Sequence, residues 1–98
     1  MVSAAGCYDP VSARIAAEAG FDVFYMTGNG ASAARLGSPD VGLMTLPEMA
    51  DQAGRIAAAV EVPLVADADT GFGGVLNVVR TFQSYERAGV AAMHLEDQ

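Results

Sequence analysis

The sequence predicts an α/β fold built on parallel strands joined by crossover helices, and three observations carry that prediction. Short runs of branched and aromatic residues alternate with amphipathic stretches of helix length, which is the βα pattern. Glycine ends two helical stretches at nearly repeated junctions, Glu18-Ala19-Gly20-Phe21 and Arg87-Ala88-Gly89-Val90, each leading into an apolar run. Polar and acidic residues collect just after the apolar runs, at the edge where parallel α/β folds bind ligands. At this level a doubly wound sheet and a (β/α) barrel both remain open.

Val2–Ala5 reads as a first short strand. Asp9 before Pro10 then marks a helix start, because Asp accepts free amides and Pro lacks one. The helix runs over Pro10–Ala19, with Val11, Ile15 and Ala19 on one face and Gly20 as its left-handed cap. Phe21–Thr27 is a second strand, ended by Gly28-Asn29-Gly30. Between Ala31 and Met44 the residues Gly37, Ser38-Pro39-Asp40 and Gly42 predict mostly loop, with a turn of helix over Ala31–Leu36. Thr45-Leu46-Pro47-Glu48 forms a capping box that opens a helix placing Met49, Ala53, Ile56 and Val60 on one face. Pro63–Asp67 is a near-continuous apolar run, as expected of a parallel strand covered on both faces. Gly71, Gly73 and Gly74 make its exit loop. A further helix covers Leu76–Ala88 with Val75, Val79 and Phe82 turned inward, and Val90–Glu96 is a fourth strand. That amounts to about three and a half βα units.

The 98 residues carry 12 acidic side chains against 5 basic ones, a formal charge of −7. All the basic residues are dispersed arginines (Arg14, Arg35, Arg55, Arg80, Arg87), so no patch could neutralise a row of phosphates, and nucleic-acid binding is excluded as an expectation. No apolar run reaches the roughly 18 to 20 residues of a membrane span. A lone cysteine, Cys7, fits a reducing compartment and a structural thiol, and no secretory signal is legible at the start, so a cytoplasmic location is expected.

The strand ends hold the chemistry. They carry Thr27-Gly28-Asn29-Gly30 with Asp40 in the same long connection, Asp67-Ala68-Asp69-Thr70-Gly71, and His94-Leu95-Glu96-Asp97. On extended backbone Asp67 and Asp69 would point the same way, and so would His94 and Glu96. Carboxylates crowded in a dry mouth repel and take up protons unless a cation sits among them. Oxygen donors suit a hard ion, so Mg²⁺ is the natural choice with Mn²⁺ as a substitute, whereas one His and one Cys far apart do not suit zinc. Blander readings apply elsewhere. Aspartates at strand ends also cap loops, which fits Asp9 better than Asp69. Gly71-Phe72-Gly73-Gly74 matches no phosphate-binding loop. His94 reads as a buried, hydrogen-bonded residue rather than a base, Met26, Met44, Met49 and Met93 as core filling, and Arg35 and Arg55 as solvated or paired with a neighbouring subunit.

Several motifs in order, Gly6-x-Tyr8-Asp9-x-x-Ser12-Ala13, Tyr25-x-Thr27-Gly28-x-Gly30-x-Ser32-Ala33, Leu36-Gly37-x-Pro39-Asp40-x-Gly42, Ala66-Asp67-Ala68-Asp69-Thr70-Gly71-Phe72-Gly73 and His94-x-Glu96-Asp97-Gln98, span almost the whole chain. Together they resemble the isocitrate lyase / phosphoenolpyruvate mutase superfamily. The resemblance implies that residues 1–98 are the N-terminal portion of a (β/α)8 TIM barrel of a Mg²⁺-dependent enzyme acting on small 2-oxo or 2-hydroxy acids. By match, Asp67, Asp69 and Glu96 would hold the ion directly or through water, with Asp40 approaching them. Tyr25, Thr27, Gly28 and Asn29, together with Asp67, match the segment that holds the substrate carboxylate. Thr27 stands where the family often has Ser, and Asn29 where Gly or Tyr is common.

The Glu96-Asp97-Gln98 ending resembles the carbon–carbon lyase branch, typified by 2-methylisocitrate lyase, which implies cleavage of a 2-hydroxy di- or tricarboxylate to a 2-oxo acid and a second carboxylate. Phosphonate-forming mutases (carboxyphosphonoenolpyruvate or phosphoenolpyruvate mutase) and oxaloacetate decarboxylase are the alternatives within the superfamily. The lyases carry an acid cysteine on a mobile loop after this motif, so the catalytic acid is expected beyond Gln98, and family members are usually homotetramers. An alternative of another class is a truncated, non-catalytic product. The isolated chain is expected to be inactive.

Overall fold

The computed structural model describes all residues, Met1–Gln98. Its elements are β1 (Ala4–Cys7), α1 (Pro10–Glu18), β2 (Val23–Met26), α2 (Gly28–Leu36), α3 (Leu46–Ala59), β3 (Leu64–Asp67), α4 (Val75–Ala88) and β4 (Ala92–His94). The four strands form one parallel sheet in the order β1-β2-β3-β4. Strand order following chain order, with no reversal, is the winding of a barrel wall; a doubly wound sheet would show a switch point. The sheet therefore has the winding of an arc of a barrel wall, with β1 and β4 as its outer strands.

Register explains why the strands end where they do. Gly6 and Cys7 pair with Tyr25 and Met26, so β1 lies two residues later than the sequence predicts, and the apolar Cys7 rather than Val2 enters the core. Met26 pairs with Ala66, and Asp67 with His94. The C-terminal ends of β2, β3 and β4 thus stand side by side, which brings Thr27, Asp67 and the residues after His94 to one rim. No helix is long and apolar enough to cross a membrane.

The helix caps follow the sequence. Asp9 accepts from the Ser12 amide at 2.7 Å while Ser12 Oγ accepts from the Asp9 amide at 3.2 Å. Glu48 reaches back to the Thr45 amide and hydroxyl, each at 2.8 Å. Gly89 ends α4 at φ 91°. Met49, Ala53 and Ile56 of α3 are buried as expected, with Met26 and Met44, and Met93 packs against the same core.

The inward face of α4 differs from expectation, and α1 seats a stripe other than its Val11-Ile15-Ala19 row. Val11 and Ile15 of α1 are exposed, and Ala13, Ala16 and Ala17 pack instead. In α4, Val75, Val79 and Phe82 are exposed, whereas Thr81 and Tyr85 are buried. Spacing identifies a stripe but not which stripe is seated. Small side chains let a helix lie close to the sheet and its neighbour: a Cβ on Gly54 of α3 would stand only 3.6 Å from Ala88 of α4. The second difference is α2, a nine-residue helix where mostly loop was expected. Thr27 caps it by accepting from the Gly30 amide at 3.2 Å, and Gly37 closes it at φ 65°. Arg35 and Arg55 are exposed, as expected of solvated side chains, and both also pair within the chain to Asp51, at 2.7 and 2.9 Å.

Tyr85 joins α4 to the rim, its buried hydroxyl donating to the Asp67 carbonyl at 2.7 Å. Removing it in Tyr85→Phe leaves a buried carbonyl unpaired, an effect of about 1–3 kcal/mol. The expected result is a lower urea midpoint at unchanged slope in equilibrium unfolding.

Candidate metal and carboxylate site

The site is built around the last residue of β3. Asp67 is buried, and each carboxylate oxygen takes a backbone amide: Oδ2 accepts from Gly28 at 3.1 Å and Oδ1 from Asp69 at 3.0 Å. No cationic side chain pairs with it, since the ion pairs of the chain lie on Asp51. Amides from two segments, with the Tyr25 hydroxyl also interacting, stabilise it and hold the carboxylate in place without cancelling its charge.

Gly28 makes room for this arrangement. A Cβ there would stand 2.6 Å from Asp67 Oδ2 and 3.5 Å from Asp40 Oδ2, so two acidic oxygens from distant segments converge on space that only glycine leaves open. Asp69 arrives differently from expectation. Its φ of 45° takes it out of the extended strand, so it does not point parallel to Asp67 by alternation. The turn places it in a cleft of about 250 Å³ with Asp40, Thr70, Glu96 and Gln98, and a 2.8 Å bond from the Glu96 amide to the Asp69 carbonyl ties the two rim segments together. Burial, then Asp67, Asp40 and Glu96, push the Asp69 carboxyl above its ordinary range.

His94 also belongs to this cluster. One ligand atom each from Asp67, His94 and Glu96 lie within 4.8 Å of one another. His94 is exposed where a buried residue was expected, but it is hydrogen-bonded as expected: its Nδ1 lies 2.9 Å from the Tyr25 hydroxyl. The shared face of His94 and Glu96 was the signal for this grouping. Burial, then Asp67 and Glu96, push the Tyr25 phenol up to about 12, which keeps it an O–H at neutral pH. The Gly28 amide is committed to Asp67, and Thr27 Oγ1 already accepts from Gly30. Of this segment, the exposed Asn29 and the Thr27 hydroxyl hydrogen remain for a ligand. Cys7 is buried, its thiol pushed up to about 11 by burial and by Asp9, and it takes no part in the rim. An apolar pocket of about 220 Å³ on the flank of α4, near Phe82 and Met93, offers no comparable polar groups.

A crowd of carboxylates with no counter-cation and one imidazole at its edge fits a hard divalent cation. Such a site could take the ion on Asp67 and Glu96 and, through them, the oxygens of a small carboxylic acid.

Comparison with known proteins gives the chain a family and near relatives. A family model described as phosphoenolpyruvate phosphomutase matches residues 1–98. The chain is 54% identical to 2,3-dimethylmalate lyase of Eubacterium barkeri across 100% of its own length and 34% of that protein's. It is 53% identical to oxaloacetate decarboxylase 1 of Pseudomonas fluorescens (strain Pf0-1), over 95% of this chain and 32% of the relative. Among solved structures, oxaloacetate acetylhydrolase in complex with the product oxalate superposes with a TM-score of 0.96 at 49% identity, covering 100% of this chain and 35% of that one. Phosphonopyruvate hydrolase in complex with oxalate and Mg²⁺ gives 0.95 at 34% identity, covering 100% and 34%. The chain spans about a third of the length of the curated relatives it matches.

The glycine requirement is testable. Gly28→Ala forces the Asp67 carboxylate to move, and calorimetric titration with Mg²⁺ should show affinity weakened at least about tenfold, the range seen when groups orienting a ligand are lost.

Proposed function

The chain belongs to the phosphoenolpyruvate phosphomutase family, and on that premise we propose that it supplies the metal and carboxylate site of an enzyme that breaks a carbon–carbon bond beside the 2-hydroxy or 2-oxo group of a small dicarboxylate. The observation that carries this reading is Asp67, a buried carboxylate fixed by two amides, facing further acidic groups with no cation to balance them. Asp67 and Glu96 would hold Mg²⁺, with Mn²⁺ able to substitute, and Asp69 and Asp40 would act through water. When bound, the ion lowers the energy of negative charge developing on a substrate oxygen.

The protein's own groups define the rest. Asn29 and the Thr27 hydroxyl, at the positively polarised start of α2, receive the substrate carboxylate. Tyr25, held as a neutral phenol against His94, offers an O–H rather than another anion to the oxygen on which charge builds. In cleavage of a 2-hydroxy acid, the C2–C3 bond breaks and the C2 hydroxyl loses its proton to become a carbonyl. The electron pair leaves on C3 as the enediolate of the second carboxylate, which then takes up a proton. The relatives narrow the expected substrate: dimethylmalate and oxaloacetate are dicarboxylates, which favours that class over an isocitrate-like tricarboxylate.

A second reading is supported by the 53% identity to an oxaloacetate decarboxylase. There the C3–C4 bond breaks, CO₂ leaves, and the electron pair is delocalised onto the C2 oxygen as an enolate. The same cation site serves both reactions.

Assay of the full-length protein that carries this chain, with Mg²⁺ on 2-alkylmalates and on oxaloacetate and following 2-oxo acid release, separates them. Faster turnover of the alkylmalate supports the lyase. Chelation with EDTA should abolish activity and Mg²⁺ restore it, and Asp67→Asn should lower kcat/KM at least about a hundredfold. Activity that survives both changes overturns the reading.

A further inference from the structure

Asp40 reaches the cluster from a segment that is otherwise exposed, and what aims it lies in α2 rather than at the rim. Gly37 turns the chain out of the helix at φ 65°, and the following residues fold back along the helix. Ser32, 1% exposed, sits one turn earlier and donates its single hydroxyl proton to two carbonyls, Ser38 at 3.0 Å and Pro39 at 3.1 Å. Those carbonyls belong to the two residues directly before Asp40. Pro39 has no amide to anchor itself, and the Val41 amide turns back onto the Pro39 carbonyl at 3.1 Å. The approach of Asp40 Oδ2 to Gly28 thus depends on a tether to Ser32, whose buried hydroxyl makes the two shorter bonds while its carbonyl takes the Ser38 amide at a longer 3.5 Å.

We propose that Ser32 is a positioning residue for the cation site, its hydroxyl fixing the Ser38-Pro39 backbone so that Asp40 is delivered over Gly28 beside Asp67. The proposal rests on the reading that this cluster holds a divalent cation. It assigns the buried serine a role at a distance: the serine shapes the site and touches neither ion nor substrate. Loss of such an orienting group weakens metal binding by about 10- to 100-fold.

The test is a double-mutant cycle on the full chain, read by Mn²⁺ titration with electron paramagnetic resonance. Ser32→Ala should weaken Mn²⁺ binding about tenfold, and in the full-length protein that carries this chain the KM for the activating metal should rise while kcat at saturating metal changes little. Ser32→Cys, which keeps the volume with a much weaker donor, should behave alike and serves if the alanine variant does not fold. In an Asp40→Asn background Ser32→Ala should add nothing, because its partner in function is already lost. Wild-type affinity in both Ser32 variants overturns the proposal, and so does a Ser32 effect undiminished beside Asp40→Asn. Absence of Mn²⁺ binding by the unaltered protein instead overturns the cation reading, and the proposal with it.

Discussion

The structure depends on the way Asp67 is held. Its two carboxylate oxygens take amides from Gly28 and Asp69, and its carbonyl takes the Tyr85 hydroxyl. One residue therefore joins the start of α2, the exit loop of β3 and the flank of α4. A buried carboxylate costs several kcal/mol if left alone. Two amides offset part of that cost and orient the group, but they leave a full negative charge near Asp40, Asp69 and Glu96. That residual charge is what a divalent cation answers, so the same bonds that close the rim prepare it for chemistry.

The parallel sheet supplies the placement. Because β2, β3 and β4 run side by side in register, residues at their C-terminal ends meet without any long-range loop design. Glycine then permits what register brings together. At Gly28 the absent side chain is the space in which Asp67 and Asp40 approach each other. The groups that support the site are polar and tethered by a few hydrogen bonds, as at Ser32 and Tyr85, whereas the surrounding core of Phe24, Met26, Ile56 and Leu64 is apolar and buried. Rigidity comes from the second group and aim from the first.

Much of this was legible in the residues. Capping signals at Asp9-Pro10 and Thr45–Glu48 and the closing Gly89 placed three helices, and acidic residues after apolar runs marked the rim. The misses have physical causes. Helix α2 begins Gly-Asn-Gly, poor helix formers whose cost is met by the Thr27 cap and by packing of Ala31 and Ser32, none of which propensity reports. In α4 the larger apolar residues Val75, Val79 and Phe82 were assigned inward, but Thr81 and Tyr85 are the ones buried. Asp69 was read as extended, and a left-handed turn at φ 45° re-aims it. His94 was expected to be buried and is exposed in this chain, which spans about a third of its relatives' length. Its position beside Asp67 and Glu96 became plain only when register set β4 against β3.

The most direct measurement of the account is a crystal of the full chain grown with Mn²⁺, examined by anomalous scattering. The account predicts a single strong peak at the rim, bonded to a carboxylate oxygen of Asp67 and adjacent to Glu96. A rim without such a peak at saturating Mn²⁺, or a peak bound only at surface acids such as Asp51 or Glu48, would contradict it.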